Sequence, residues 1–165
     1  MKVSTYYKNV GKILDECIEK NPTALLYENT DDGVYFVKDK EKAYYAYFLP
    51  KYCVASVSPD LVDSSKKNDG ILSSACNAVA YLADKVAVGT NTLSGKKTVR
   101  ISNNNGVVQF FNKTYINKFP DNADFYLKST YEPAVVGIWD KKEARLHICG
   151  CVCPLAITDN EFVAD

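Results

Sequence analysis

The sequence predicts an α+β domain, mostly antiparallel sheet with two main helices and one short helix. Two observations predict it: one long amphipathic stretch at the chain start, and many short β-branched and aromatic runs punctuated by turn formers. From Ser4 to Lys20, apolar residues fall at Tyr6, Tyr7, Val10, Ile13, Leu14, Cys17 and Ile18. That 3-and-4 spacing makes one helical face apolar, and Asn21-Pro22 ends it. Thr23–Glu28 and Val34–Lys38 flank the Asn29–Gly33 turn cluster and read as a hairpin. Ala43–Leu49 reads as a third strand, Lys51–Val57 as an edge strand, and Ser58–Gly70 as a polar loop. The second main helix is expected over Ile71–Asp84, where Leu72, Ala75, Cys76, Val79 and Leu82 share a face, with a loop over Gly89–Lys97.

Thr98–Ser102 and Val107–Phe111 flank Asn103-Asn104-Asn105-Gly106, a strong hairpin signal because Asn and Gly tolerate positive φ. Asn112 is placed to cap a short helix over Lys113–Phe119, stopped by Pro120. Phe125–Ser129, Ala134–Trp139 and Ala144–Val152 complete the sheet, the last two joined by the charged turn Asp140–Glu143. The whole of 1–165 reads as one domain, with 158–165 a loose tail.

Composition bounds the function. Twenty basic side chains balance twenty acidic ones, so no bulk field draws the protein to nucleic acid or to an acidic membrane. The segment 85–145 is locally basic, with ten Lys and Arg against five Asp and Glu. No apolar run approaches the roughly 20 residues of a membrane helix, so a cytoplasmic protein is expected. Six cysteines in 165 residues, three of them at Cys149, Cys151 and Cys153, do not resemble a secreted disulfide framework and are expected as thiols. The abundance of Lys, Asn and Tyr suggests an AT-rich bacterial, phage or mobile-element source.

Few residues suggest chemistry. His147, Cys149, Cys151 and Cys153 alternate along one strand, which places all four on one face, yet a straight strand spreads them over roughly 20 Å and keeps them from converging on one zinc ion. The strand is apolar on both sides, so these cysteines read as core. Gly89 to Thr98 departs from the phosphate-loop pattern in spacing and precedes a strand. Asp31-Asp32, Asp121/Asp124 and Asp159/Glu161 read as solvated turn and terminal carboxylates. With one histidine and no recognised motif, no catalytic residue, metal site or cofactor is expected, and an enzyme is not.

Twelve tyrosines are the stronger hint, since Tyr pairs a large apolar body with a polar tip and is enriched at interfaces. Tyr44, Tyr45 and Tyr47 fall on both faces of one strand and are candidate partner-binding residues. The basic candidates are Lys96, Lys97, Arg100, Lys113 and Lys118.

The run from Asp32 to Asp39 leading through AYYAYFLP resembles an acidic turn before an apolar strand ending in Pro, as written in DNA sliding-clamp domains. The 98–111 hairpin, the short helix, then PAVVGIWD and ARLHICGCVCPLAI are similar to the last strands of such domains and of related phage proteins, so the likeness spans 4–158. It implies the clamp-domain fold and, through the five basic candidates, a clamp-like DNA accessory. The family's inner helices are basic, whereas the Ser4–Lys20 helix here is mixed, with Lys8, Lys12 and Lys20 balanced by Asp15, Glu16 and Glu19, which speaks against DNA encirclement. The leading expectation is a non-enzymatic module that binds another protein. Its alternatives are a phage inhibitor of a bacterial defence nuclease and the DNA accessory, with the oligomeric state open.

Overall fold

The computed structural model describes residues 1–20, 26–29, 33–38, 45–50, 53 and 78–165, giving backbone alone at 26–29 and 78–79. The described chain is α+β and mostly antiparallel sheet. Its helix α1 spans Val3–Lys20 and buries Tyr6, Tyr7, Val10, Leu14 and Cys17, the face the spacing marks. Strands β1 (Leu26–Asn29), β2 (Gly33–Val37) and β3 (Tyr45–Pro50) follow. A 3-10 turn at Ala78–Tyr81 leads into β4 (Ala83–Asn91), β5 (Lys97–Asn103) and β6 (Val108–Asn112). Then come the short helix α2 (Lys113–Ile116), β7 (Asp124–Tyr126), β8 (Ala134–Asp140), β9 (Arg145–Val152) and β10 (Phe162–Ala164).

The strands form two antiparallel sheets, ordered β1-β2-β3-β9-β8-β7 and β10-β4-β5-β6. One core joins them to α1. Tyr6, Val10 and Leu14 pack with Phe36, Leu49 and Val136 of the larger sheet and with Val99, Ile101 and Phe111 of the smaller one. The Tyr6 hydroxyl, buried in that core, donates to the Cys149 carbonyl at 2.8 Å and ties α1 to β9. The larger sheet's other face is buried too, around Tyr35, Phe48, Val135 and Cys151.

Several boundaries differ from the sequence reading. Of the helix expected over Ile71–Asp84, residues 71–77 lie outside the described chain, Ala78–Tyr81 is a 3-10 turn, and Ala83 and Asp84 already belong to β4. The β-branched Val86 and Val88 pair with Ile101 and Val99, and this pairing wins over the helical spacing upstream. The loop expected over Gly89–Lys97 shrinks to the turn between β4 and β5, where Asn91 Oδ1 accepts the Leu93 amide at 2.9 Å. Asn112 caps α2 as its position predicts, accepting the Thr114 amide at 2.9 Å.

The terminal residues are docked, not loose. Phe162 pairs with Asn91 and Ala164 with Gly89, and the Phe162 ring lies 5.6 Å from that of Phe110. Gly89 permits this close approach, because a Cβ there would collide with the Phe162 ring and the Val163 carbonyl. The Lys51–Val57 strand and the Ser58–Gly70 loop lie outside the described residues except for Cys53, which is exposed.

The cysteine ladder is also corrected. Val136 faces Gly150 and Gly137 faces Ile148, so Cys149 is an extra residue in β9 and the register slips. Such a bulge reverses the alternation beyond it. Cys149 therefore points into the core beneath α1 and Cys151 into the opposite cluster, while Cys153 lies past the strand end. Gly150 makes the bulge, with φ 157° and β3 so close that a Cβ would strike the Ala46 carbonyl.

Candidate functional site

Among the described residues, two acidic side chains and a histidine, with ligand atoms within 4.8 Å of one another, meet where β8 turns into β9. Asp140 ends β8 and pairs with Arg145 at the start of β9, leaving a four-residue turn, 141–144, closed by Ala144 at φ 50°. Asp140 Oδ1 accepts two turn amides, Lys142 at 2.8 Å and Glu143 at 3.1 Å. Those bonds, with a further contribution from His147, hold the Asp140 carboxyl below its usual range.

The same geometry aims the other carboxylate oxygen at β9. His147 pairs across with Ile138, and its Nε2 lies 3.3 Å from Asp140 Oδ2. Glu143, one helical-type step back in sequence, places Oε2 at 3.4 Å from the same nitrogen, and Arg145 Nε lies 3.6 Å from that oxygen. Asp140, Glu143 and His147 line a pocket of ≈ 690 Å³ together with Val3 and Tyr7 from α1, Ile138, Trp139, Lys141 and Lys142. Trp139, the only tryptophan, is 41% exposed there. The pocket thus has an aromatic and aliphatic wall and a charged mouth.

The residues singled out from the sequence lie elsewhere. Tyr44 is outside the described residues. Tyr47 is in the core at 2% exposure, and burial drives its hydroxyl far above the ordinary tyrosine range. Tyr45 is half-buried against Tyr47 and Tyr115, with Lys118 Nζ 4.9 Å over its ring. Lys97 pairs with Asp165 at 2.8 Å, and Arg100 grips both Asp159 oxygens at 2.6 and 3.4 Å. Lys96 stands exposed in the β4–β5 turn, and Lys113 opens α2.

Cys149 and Cys151 are buried, and desolvation pushes both thiols up to about 12. A nucleophilic cysteine needs the opposite shift. The Asp140, Glu143 and His147 constellation was missed because Asp140–Glu143 reads as a charged turn and His147 as a rung of the cysteine ladder. Its signal is a carboxylate just before a four-residue turn, a second carboxylate inside that turn, and histidine two places into the returning strand. Comparison with family models, curated proteins and solved structures returns no match. No helix among the described residues is long and apolar enough to cross a membrane.

Proposed function

We propose that the protein is a non-catalytic binding module whose recognition surface is the pocket between α1 and the β8–β9 hairpin. The exposure of Trp139 carries this reading. A large aromatic side chain left 41% open beside Tyr7 and Ile138 is an anchor of the kind that dominates interface energetics. The apolar wall of Tyr7, Ile138 and Trp139 beside a mouth that mixes Lys141 and Lys142 with Asp140 and Glu143 favours a peptide segment of another protein with an apolar anchor and polar flanks. Burial of the Cys149 and Cys151 thiols supports a non-catalytic role. Engagement of Lys97 and Arg100 by Asp165 and Asp159 leaves the DNA-accessory reading with less support.

The test is a random-peptide selection on the immobilised chain with Trp139→Ala as the counter-target. Peptides with an apolar anchor should emerge, bind the native chain, and lose about tenfold or more on Trp139→Ala, a typical anchor loss. Peptides held equally by both proteins, or a library that yields no binder, would overturn the assignment.

A further inference from the structure

The donor atoms of the β8–β9 hairpin carry an inference that goes beyond partner recognition and does not rest on it. His147 Nε2 stands 3.3 Å from Asp140 Oδ2 and 3.4 Å from Glu143 Oε2, and the three ligand atoms all lie within 4.8 Å of one another. A charge-assisted hydrogen bond from an imidazolium to a carboxylate is usually shorter, about 2.7–2.9 Å. One ring N–H shared between two carboxylates makes only a bifurcated bond, weaker to each than a direct one. A shared cation resolves both points. Zinc bound by nitrogen and oxygen at about 2.0–2.2 Å in tetrahedral geometry separates its ligand atoms by about 3.3–3.6 Å, and both distances from His147 already match.

The supports around the donors fit the same reading. Asp140 Oδ1 is taken by the Lys142 and Glu143 amides, which hold the carboxylate in place and leave Oδ2 for a ligand. His147 is fixed on β9 opposite Ile138, while Glu143, with its side chain 57% exposed, has the freedom to close the set. Imidazole with carboxylates suits a borderline first-row cation. Arg145 is the competitor, lying 3.6 Å from the Glu143 oxygen the ion would take.

We propose that Asp140, Glu143 and His147 form a site for a zinc-type divalent cation, with three protein ligands and a fourth position open to the pocket that Tyr7 and Trp139 line. Bound metal closes the open end of the hairpin and sets a Lewis-acidic centre at the pocket mouth, where water or a ligand carboxylate completes the coordination.

The experiment is a zinc chloride titration of the full chain followed through the His147 ring nitrogens by NMR, unambiguous because this is the only histidine. One saturable site per chain should move the Nε2 signal. Asp140→Asn, which keeps an oxygen for the turn amides, and Glu143→Gln should each weaken binding about tenfold or more, with unchanged circular dichroism, and Arg145→Ala should bind equally or more tightly. The proposal is overturned if the ring signals stay still while zinc binds at thiols, if nothing saturates by millimolar zinc, or if Asp140→Asn binds like the native chain. In any of those outcomes the cluster is an ion-paired turn.

Discussion

Cys149 and Cys151 show how far a side chain's surroundings override its intrinsic chemistry. Both thiols sit inside apolar clusters at 0% and 5% exposure, and desolvation raises both to about 12. At pH 8 the thiolate fraction is then on the order of one in ten thousand, against roughly a quarter for an ordinary cysteine. Native protein should leave both residues unlabelled by iodoacetamide while guanidinium exposes them, as mapped by peptide mass spectrometry. Labelling of Cys151 in the native state at a rate near that of a free thiol would contradict the burial of that face. The bulge at Gly150 is what separates the two cysteines, and nothing in an alternating sequence marks it except the glycine itself.

Among the elements, β10 is held by charge as well as by ladder bonds. Its entry turn carries Asp159, gripped by Arg100, and the Thr92 and Asp165 amides donate to Glu161 and Val88 at 2.8 and 2.9 Å. Arg100 holds the Asp159 carboxyl below its usual range, so the folded value is lower than the unfolded one. The contact therefore stabilises docking above about pH 4, the ordinary carboxylate range, and that contribution is lost as pH falls through the depressed value. Hydrogen exchange at the Thr92 and Asp165 amides, corrected for intrinsic rates, should quicken below about pH 4 in the native chain. Arg100→Gln should weaken that dependence, with the Lys97–Asp165 pair left in place, and quicken exchange at neutral pH; an unchanged profile would show that the Arg100–Asp159 pair does not hold β10. The sequence made α1 legible because 18 residues repeat one face, and the β5–β6 hairpin legible because Asn103 to Gly106 has specific turn chemistry. It hid β4 and β10. Lys85 to Asn91 mixes valines with small and polar residues, and Phe162–Ala164 is too short to show a period. The hairpin site was hidden for another reason, since only the pairing of Asp140 with Arg145 brings the two carboxylates to His147.

Across the whole molecule, the question is whether two sheets behave as one folding unit. The core cluster runs from Leu49 and Val136 through α1 to Ile101 and Phe111, so neither sheet buries its inner face without the other. Asn103 reinforces the junction: its side-chain amide donates to the Leu127 carbonyl at 2.9 Å, and its Oδ1 accepts the Asn105 and Val107 amides at 3.0 and 3.1 Å. One buried side chain thus serves the β5–β6 turn and the segment after β7 together. Asn103→Ala removes these three bonds and leaves the buried Leu127 carbonyl without its Asn103 donor, at a cost of about 1–3 kcal/mol. Because the core is shared, that loss should lower the stability of both sheets equally. Urea unfolding read by Trp139 fluorescence, on the larger sheet, and by far-ultraviolet circular dichroism, over the whole chain, should give coincident transitions in the native protein and in Asn103→Ala, displaced together to lower urea in the variant. If the variant's dichroism fell before its fluorescence, the smaller sheet would be melting alone and the shared core would not bind the two sheets into one cooperative unit.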